Sequence, residues 1–161
     1  MSVNRNQEHL LILPEDKACG DIVAAFIANV EERFSRKAQL LSPAGGWRHA
    51  IEQVSSDDND LGSYPMRHLL LVIDFDDHAE RRNEIEAAIP QQLSNRVYIV
   101  GSLKEAEDLK PVFGRYELVG EALWKACMDQ TNDPWEHELL AHNLPEVKRL
   151  MPIVQRLLFG R

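Results

Sequence analysis

The sequence predicts an α/β fold: a compact parallel β-sheet built from βα units and followed by a C-terminal helical extension. Two observations lead to this prediction. Short apolar runs typical of strands alternate with amphipathic helical patterns over much of the chain, an order that produces parallel strands joined by right-handed crossovers. The strongest run, residues 69–73 (LLLVI), is apolar at every position, which is typical of a central strand buried on both faces.

The individual elements follow from hydrophobic periodicity and from turn residues. Four apolar runs predict the strands, at residues 9–13, 38–41, 69–73 and 97–100. Helical spacing predicts six helices, at residues 21–34, 47–54, 79–89, 117–128, 134–142 and 145–159. Asp21 is the expected N-cap of the first. Pro152 is expected to kink or restart the last. We therefore expect an α/β core over residues 8–110 and a helical extension over residues 117–159, packed on the same domain.

Composition argues against several classes of protein. A chain of 161 residues, 44% of them hydrophobic, is long enough for one full core and short for two. No stretch approaches the roughly 20 apolar residues that cross a bilayer, and the polar N-terminus lacks the apolar run of a signal peptide. We therefore expect a soluble, cytoplasmic protein with no membrane contact. Cys19 and Cys127 form no C-x-x-C pair, which argues against a disulfide framework or a zinc knuckle, and we expect both to be small buried hydrophobes.

Acidic residues follow the first and third predicted strands at the point where each strand ends. Glu15 and Asp16 follow the first strand, and Asp74, Asp76 and Asp77 follow the third. Ligands of parallel sheets bind at the carboxyl ends of the strands, and in an extended backbone Asp74 and Asp76 lie on the same side. Oxygen donors without cysteine or histidine suit Mg²⁺, Mn²⁺ or Ca²⁺ better than zinc. The sequence thus predicts a metal site, most simply for Mg²⁺ or Mn²⁺, made by Glu15, Asp74 and Asp76, although each acid taken alone is typical of a helix cap or a solvated turn.

Basic residues beside these acids are candidate partners of a phosphate. Lys104 follows the fourth strand and is a candidate catalytic group that neutralises charge in a transition state. Arg81 and Arg82 begin the helix after the acidic turn. They either bind a phosphate or pair with Glu84 and Glu86 on a solvated face.

The acids stand in the pattern of the TOPRIM domain, the catalytic fold of topoisomerases and primases, which this sequence resembles over residues 8–110. That family has a glutamate just after its first strand and an Asp-x-Asp after its third. The matching residues here are Glu15, after Leu-Pro, and Asp74 and Asp76, after Val-Ile. The resemblance implies a Rossmann-like sheet, Mg²⁺ held by the three acids, Glu15 as general acid/base or ligand, and phosphodiester chemistry on DNA or RNA. Small stand-alone TOPRIM proteins and OLD-family nuclease domains are the most similar in style, and the latter imply an ABC-type ATPase as partner.

This sequence departs from the family pattern at several positions, so an inactive member of the family is an alternative. The glycine that often follows the first glutamate is replaced by Asp16, and Phe75, Asp77 and His78 stand where small residues are common. Three functions therefore remain. The leading one is a Mg²⁺-dependent nuclease-like or phosphoryl-transfer domain acting on nucleic acid. The others are a non-enzymatic interaction module and a receiver-like phospho-acceptor domain.

Net charge and the last helix suggest dependence on other chains. A formal charge of −8 argues against tight, independent binding of nucleic acid, so we expect a partner protein to supply the binding surface. The last predicted helix carries an apolar stripe of Val147, Leu150, Met151, Val154, Leu157 and Leu158. We expect self-association, as a homo-oligomer, or docking to another protein through the region after Glu117. The alternative is that the stripe simply packs on the sheet.

Overall fold

The computed structural model describes residues 2–57 and 59–161. These residues form a sheet of four strands: β1 (His9–Pro14), β2 (Ala38–Leu40), β3 (Arg67–Val72) and β4 (Val97–Val100). Every neighbouring pair is parallel, and the spatial order is β2-β1-β3-β4. Strands β1 and β3 therefore occupy the centre of the sheet, and the carboxyl ends of all four strands meet at one edge. The predicted α/β fold with a parallel sheet and C-terminal helices is confirmed.

Helical segments connect and cover the strands. The α-helices of the described ranges are α1 (Lys17–Ala28), α2 (Trp47–Val54), α3 (Arg81–Ala88), α4 (Lys110–Phe113), α5 (Tyr116–Asp129) and α6 (Leu144–Val154). Short 3₁₀ segments stand at Glu32–Lys37, Gln91–Arg96, Ala106–Leu109, Pro134–Glu136 and Ala141–Asn143. A π-helical turn, Gln155–Phe159, continues α6. No helix in the described ranges is long and apolar enough to cross a bilayer.

The first helix differs from the prediction at both ends. Asp16, not Asp21, caps α1, because its Oδ1 accepts a hydrogen bond from the amide of Cys19 at 2.9 Å. The helix ends at Ala28, and a 3₁₀ segment takes up the residues that follow. The earlier start matters for function because it brings the first turn of α1 to the carboxyl edge of the sheet.

The predicted helix over residues 134–142 does not form. Two 3₁₀ segments, Pro134–Glu136 and Ala141–Asn143, replace it. Between them His137 is extended, and its Nδ1 accepts a hydrogen bond from the amide of Leu139 at 3.1 Å. Such a local bond from a side chain to the backbone competes with helical hydrogen bonding.

Side chains of each strand alternate between two helical layers. In β1, Leu10 and Ile12 belong to the core shared with α1, α5 and α6. Leu11 and Leu13 belong to the core shared with α2 and α3. The sheet is thus covered on both faces, as the apolar run of β3 predicts.

The apolar stripe of the last helix covers the sheet. Five of its six residues are no more than 6% exposed: Val147, Leu150, Val154, Leu157 and Leu158. They belong to the same core as α1 and α5. The structure thus shows the alternative, in which the stripe packs on the sheet, and docking or self-association through other residues after Glu117 stays a prediction.

Candidate metal centre

Strands β1 and β3 bring Glu15 and Asp74 to one point of the sheet edge. The strands are neighbours, and their register pairs Pro14 with Val72. The amide of Glu15 donates to the carbonyl oxygen of Val72 at 2.8 Å, and Oε2 of Glu15 accepts from the amide of Asp74 at 2.7 Å. Both acids therefore lie at the same carboxyl edge, as the strand order predicts.

The carboxyl group of Asp74 is buried. The residue is 6% exposed, and its Oδ1 accepts a long hydrogen bond from Sγ of Cys19 at 3.5 Å. Burial raises the pKa of Asp74 to about 7, helped by the carboxylates of Asp16 and Glu15 and opposed by hydrogen bonds from the amide of Ala106 and the thiol of Cys19. Without a bound cation, a large fraction of Asp74 is therefore a neutral acid at neutral pH.

The side chain of Glu15 is also partly buried beside other carboxylates. Burial raises its pKa, and the neighbouring carboxylates of Asp16 and Asp76 raise it as well. The hydrogen bond from the amide of Asp74 and the charge of Arg81 act in the opposite direction. Two acids of this edge thus hold their protons more tightly than in water, which is the condition under which a divalent cation stabilises a site.

One set of three potential metal ligands converges in the described part of the chain. Asp16, Cys19 and Asp74 each offer an atom, and these atoms lie within 4.8 Å of one another. The first turn of α1 supplies Asp16 and Cys19, because Asp16 caps the helix. Burial raises the pKa of the Cys19 thiol, so at neutral pH the thiol is protonated and donates to Asp74. The atoms that could bind a metal are therefore carboxylate oxygens of Asp16 and Asp74. The Cys19 thiol donates a hydrogen bond to Asp74.

Asp76, the third acid of the predicted site, lies outside that set. The φ angles of Asp76 and Asp77 are +50° and +55°, so the backbone leaves the extended conformation that would have put Asp74 and Asp76 on one side. Asp76 instead pairs with Arg81, Oδ2 to Nη1 at 2.9 Å, with 45% of its side chain exposed. The predicted trio of Glu15, Asp74 and Asp76 thus shares one edge without converging as a single ligand group.

Arg81 is the predicted phosphate ligand that the structure brings to the acids. It is 9% exposed, and its Nη1 also donates to the carbonyl oxygen of Asp74 at 3.2 Å. Its guanidinium lies over the ring of Trp47, 4.3 Å from the ring centroid. Its Nε is buried and has no hydrogen-bond partner among the described residues. Arg81 therefore keeps an unused N–H donor beside the acidic edge.

Arg82 forms its hydrogen bonds at the end of β4 and not with the acids. Its Nη1 donates to the carbonyl oxygen of Ile99 at 2.9 Å, and its Nη2 donates to Oδ1 of Asn143 at 2.9 Å. Successive helical residues are about 100° apart, so Arg81 and Arg82 point in different directions. Arg82 thus ties the end of β4 to the C-terminal segment.

Lys104 lies at the rim of the acidic edge. Its carbonyl oxygen accepts a hydrogen bond from the amide of Asp76 at 3.1 Å, and the residue itself is exposed. The backbone of Lys104 thus helps to hold the Asp76 turn, and its ammonium group is open to solvent.

Two residues of the converging set, Asp16 and Cys19, stand outside the predicted metal site. Asp16 was expected only as one of the acids at the end of the first strand. Cys19 is the less expected of the two. We expected only a buried hydrophobe, and burial is indeed what the structure shows, but the thiol also contacts Asp74. The signal was the spacing Asp-x-x-Cys directly after the first strand, since a helix that starts there presents its first turn to the strand ends.

No known protein family, curated protein or solved structure gives a significant match to this chain. The resemblance to TOPRIM domains stays a prediction that depends on the residues themselves.

Proposed function

We propose that this chain is a divalent-cation-dependent phosphoryl-transfer domain, nuclease-like in its chemistry, that acts on nucleic acid together with a partner protein. One observation carries the proposal. The Asp74 carboxyl is buried beside Glu15 and Asp16, and its pKa is raised to about 7. A bound divalent cation would compensate the lost hydration and the mutual repulsion of these acids.

The donor set fits Mg²⁺ or Mn²⁺. Mg²⁺ takes one or two protein carboxylates and keeps its other positions for water and phosphate oxygens. Asp74 with Glu15 or Asp16 supplies that number, and Asp76 would join only by leaving Arg81. When bound, such an ion stabilises the charge that develops on a phosphoryl group and lowers the pKa of its water.

The remaining residues have roles that need no rearrangement of the fold. Glu15, whose pKa is raised by burial, would serve as general acid/base. Arg81 would donate to a phosphate oxygen through Nη1, which now pairs with Asp76. The exposed Lys104 would approach the substrate from the rim of the site.

A cleavage assay tests the proposal. The full chain is incubated with labelled single- and double-stranded DNA and RNA oligonucleotides in Mg²⁺, in Mn²⁺ or in EDTA, with and without a cell extract that supplies partner proteins. We expect cation-dependent cleavage that Asp74→Asn and Glu15→Gln each lower by at least about 100-fold. Asp77→Asn is the matched control, since Asp77 is exposed and asparagine tolerates its positive φ. Cleavage that persists in EDTA or in Asp74→Asn would contradict the proposal.

A non-enzymatic interaction module is the second candidate. It is favoured by the ion pair between Asp76 and Arg81 and by the bond from Cys19 to Asp74, because these contacts give two of the acids structural partners. This candidate requires that neither Mg²⁺ nor Mn²⁺ binds at Asp74. A receiver-like phospho-acceptor is less favoured, since the 6% exposure of Asp74 leaves little access for a phosphoryl donor, and we expect no labelling by acetyl phosphate.

A further inference from the structure

One ion pair joins the acidic edge to a buried guanidinium. Oδ2 of Asp76 lies 2.9 Å from Nη1 of Arg81. The side chain of Asp76 is 45% exposed, whereas that of Arg81 is 11% exposed. An ion pair that is half open to solvent contributes little to stability. The pair between Asp76 and Arg81 can therefore separate without disturbing the fold.

Two further contacts hold the guanidinium of Arg81 in place when this pair opens. Its Nη1 also donates to the carbonyl oxygen of Asp74 at 3.2 Å. Its planar group lies over the ring of Trp47, 4.3 Å from the ring centroid, where a cation is attracted to the aromatic face. Arg81 is therefore the fixed partner of the pair, and Asp76 is the partner that moves.

The backbone around Asp76 is fixed by the loop that follows β4. The amide of Asp76 donates to the carbonyl oxygen of Lys104 at 3.1 Å, and the amide of Asp77 donates to that of Leu103 at 2.7 Å. Opening the pair thus requires rotation of the Asp76 side chain and no change of the backbone. The released carboxylate stays at the acidic edge, where its charge already acts on Glu15 and raises the pKa of that residue.

A phosphate and the Asp76 carboxylate compete for the same donor. Nη1 of Arg81 has two hydrogens, which the carbonyl oxygen of Asp74 and the carboxylate of Asp76 occupy. A phosphate oxygen is the same kind of anionic acceptor as a carboxylate oxygen. It can reach the position of the Asp76 carboxylate from solvent, because that side chain is 45% exposed. A phosphate therefore gains Nη1 by displacing Asp76.

We propose that the pair between Asp76 and Arg81 couples the binding of the cation to the binding of a phosphodiester phosphate. A phosphate that binds Arg81 releases Asp76 to the cation or to its bound water. A cation that draws Asp76 away frees Arg81 for the phosphate, so each ligand raises the affinity for the other by the same factor. This inference rests on the proposed function and adds its regulation, since the cation site is complete only when the substrate phosphate is present.

Titration calorimetry of Mn²⁺ into the full chain tests the coupling, with dimethyl phosphate as the probe because it is a phosphodiester without bases. Each titration is run in sodium dimethyl phosphate and, at equal pH and ionic strength, in sodium chloride. We expect dimethyl phosphate to tighten the binding of Mn²⁺ to the parent by roughly 10-fold. In Asp76→Asn the effect should fall to about 3-fold or less, because only direct contact between phosphate and cation remains.

Two further variants complete the comparison. Asp77→Asn is the matched control, since Asp77 is exposed and has a positive φ angle like that of Asp76, and it should respond as the parent does. Arg81→Gln removes the other partner, so it should bind Mn²⁺ in chloride at least as tightly as the parent and respond little to dimethyl phosphate. Circular dichroism checks the fold of this buried variant, and the exposed Asp76→Asn decides the outcome.

Three results would overturn the coupling. An effect of dimethyl phosphate that is equal or larger in Asp76→Asn than in the parent would do so, because simple neutralisation of an unpaired Arg81 gives that direction. The absence of any effect in the parent would also do so, and either result leaves the proposed cation site standing. The absence of saturable Mn²⁺ binding to the parent would contradict the proposed function and the coupling together.

Discussion

The carboxyl of Asp74 gives up its hydration and gains only hydrogen bonds from a thiol and an amide. Its pKa in the folded protein, about 7, lies above its ordinary value of 3.8. The folded protein therefore binds more protons than the unfolded chain between these two pH values. The contribution of Asp74 to stability is fully present below pH 3.8 and is lost as the pH rises through 7.

Asp74→Asn should remove this pH dependence. In EDTA, we expect the free energy of unfolding of the parent to lose on the order of 2 kcal/mol more than that of the variant between pH 5 and pH 8. Urea titrations at the two pH values measure the difference. Asp77→Asn, at an exposed position, should follow the parent, and parallel profiles for parent and Asp74→Asn would show that Asp74 is ionised across this range.

His9, the first residue of β1 at the opposite edge of the sheet from Asp74, has the opposite pH dependence. Its ring is fully buried, with Nδ1 donating to the carbonyl oxygen of Gln7 at 2.7 Å and Nε2 accepting from Nε of Arg67 at 2.8 Å. Burial lowers its pKa, as do the charges of Arg67, His68 and Arg5, against the bond to Gln7. A second ring proton would face Arg67, so this stability is present above pH 6.5 and is lost as the pH falls.

His9→Gln should therefore change acid sensitivity. We expect the variant to be less stable than the parent at pH 8 and to approach it at pH 5, because only the parent loses the neutral imidazole as the pH falls. His49→Gln, at an exposed histidine, serves as the control and should keep a constant difference. Chemical denaturation at both pH values gives the comparison, and a constant difference for His9→Gln would contradict this account.

At the scale of elements, the end of β4 is held by very close backbone contact. Beyond the end of β3, the amide of Ile73 donates to the carbonyl oxygen of Val100 at 2.9 Å. A Cβ on Gly101 would lie 1.7 Å from the carbonyl oxygen of Ile73. The side chain of Asn143 binds both the amide and the carbonyl of Gly101, at 3.1 and 2.8 Å. The position of Asp74, next to Ile73, thus depends on glycine at 101.

Gly101→Ala should be strongly destabilising. The clash is with backbone atoms, which cannot move aside as a flexible side chain can, so we expect a loss of about 3 kcal/mol or more. Gly62→Ala is the control, because a Cβ there meets no atom within 4 Å. Thermal unfolding of both variants provides the measurement, and similar melting temperatures would refute the close contact.

The parts of the fold that the sequence predicts are those with unambiguous periodicity. Residues 69–72 of β3 are all apolar, and the central position of the strand follows from that. The site was predicted less well, since an Asp-x-Asp on one side requires extended backbone, and Asp76 and Asp77 have positive φ angles. Only the tertiary structure reveals that turn, which depends on backbone bonds to the loop after β4. The helix predicted over residues 134–142 fails for a different, local reason, because the side chain of His137 accepts a hydrogen bond from the nearby amide of Leu139.

At the scale of the whole molecule, a charge of −8 opposes approach to nucleic acid at long range. The buried stripe of α6 and its π-helical turn removes the most obvious docking surface. A partner would therefore have to bring its own basic surface to the carboxyl edge.

Nucleic-acid binding by the isolated chain should accordingly be weak. We expect no gel shift with DNA or RNA at micromolar protein in 150 mM salt, and only weak, salt-sensitive retardation at low salt with Mg²⁺. Tight binding by a monomer, with light scattering as the check of its mass, would contradict the need for a partner.

The central claim is that a divalent cation displaces the proton of Asp74. Titration calorimetry of Mn²⁺ into the chain at pH 6.5, in buffers of different ionisation enthalpy, measures the protons released per ion. With a pKa near 7, we predict saturable binding with release of roughly half to one proton, lost in Asp74→Asn and kept in Asp77→Asn. Binding without proton release, or an unchanged titration of Asp74→Asn, would contradict the claim.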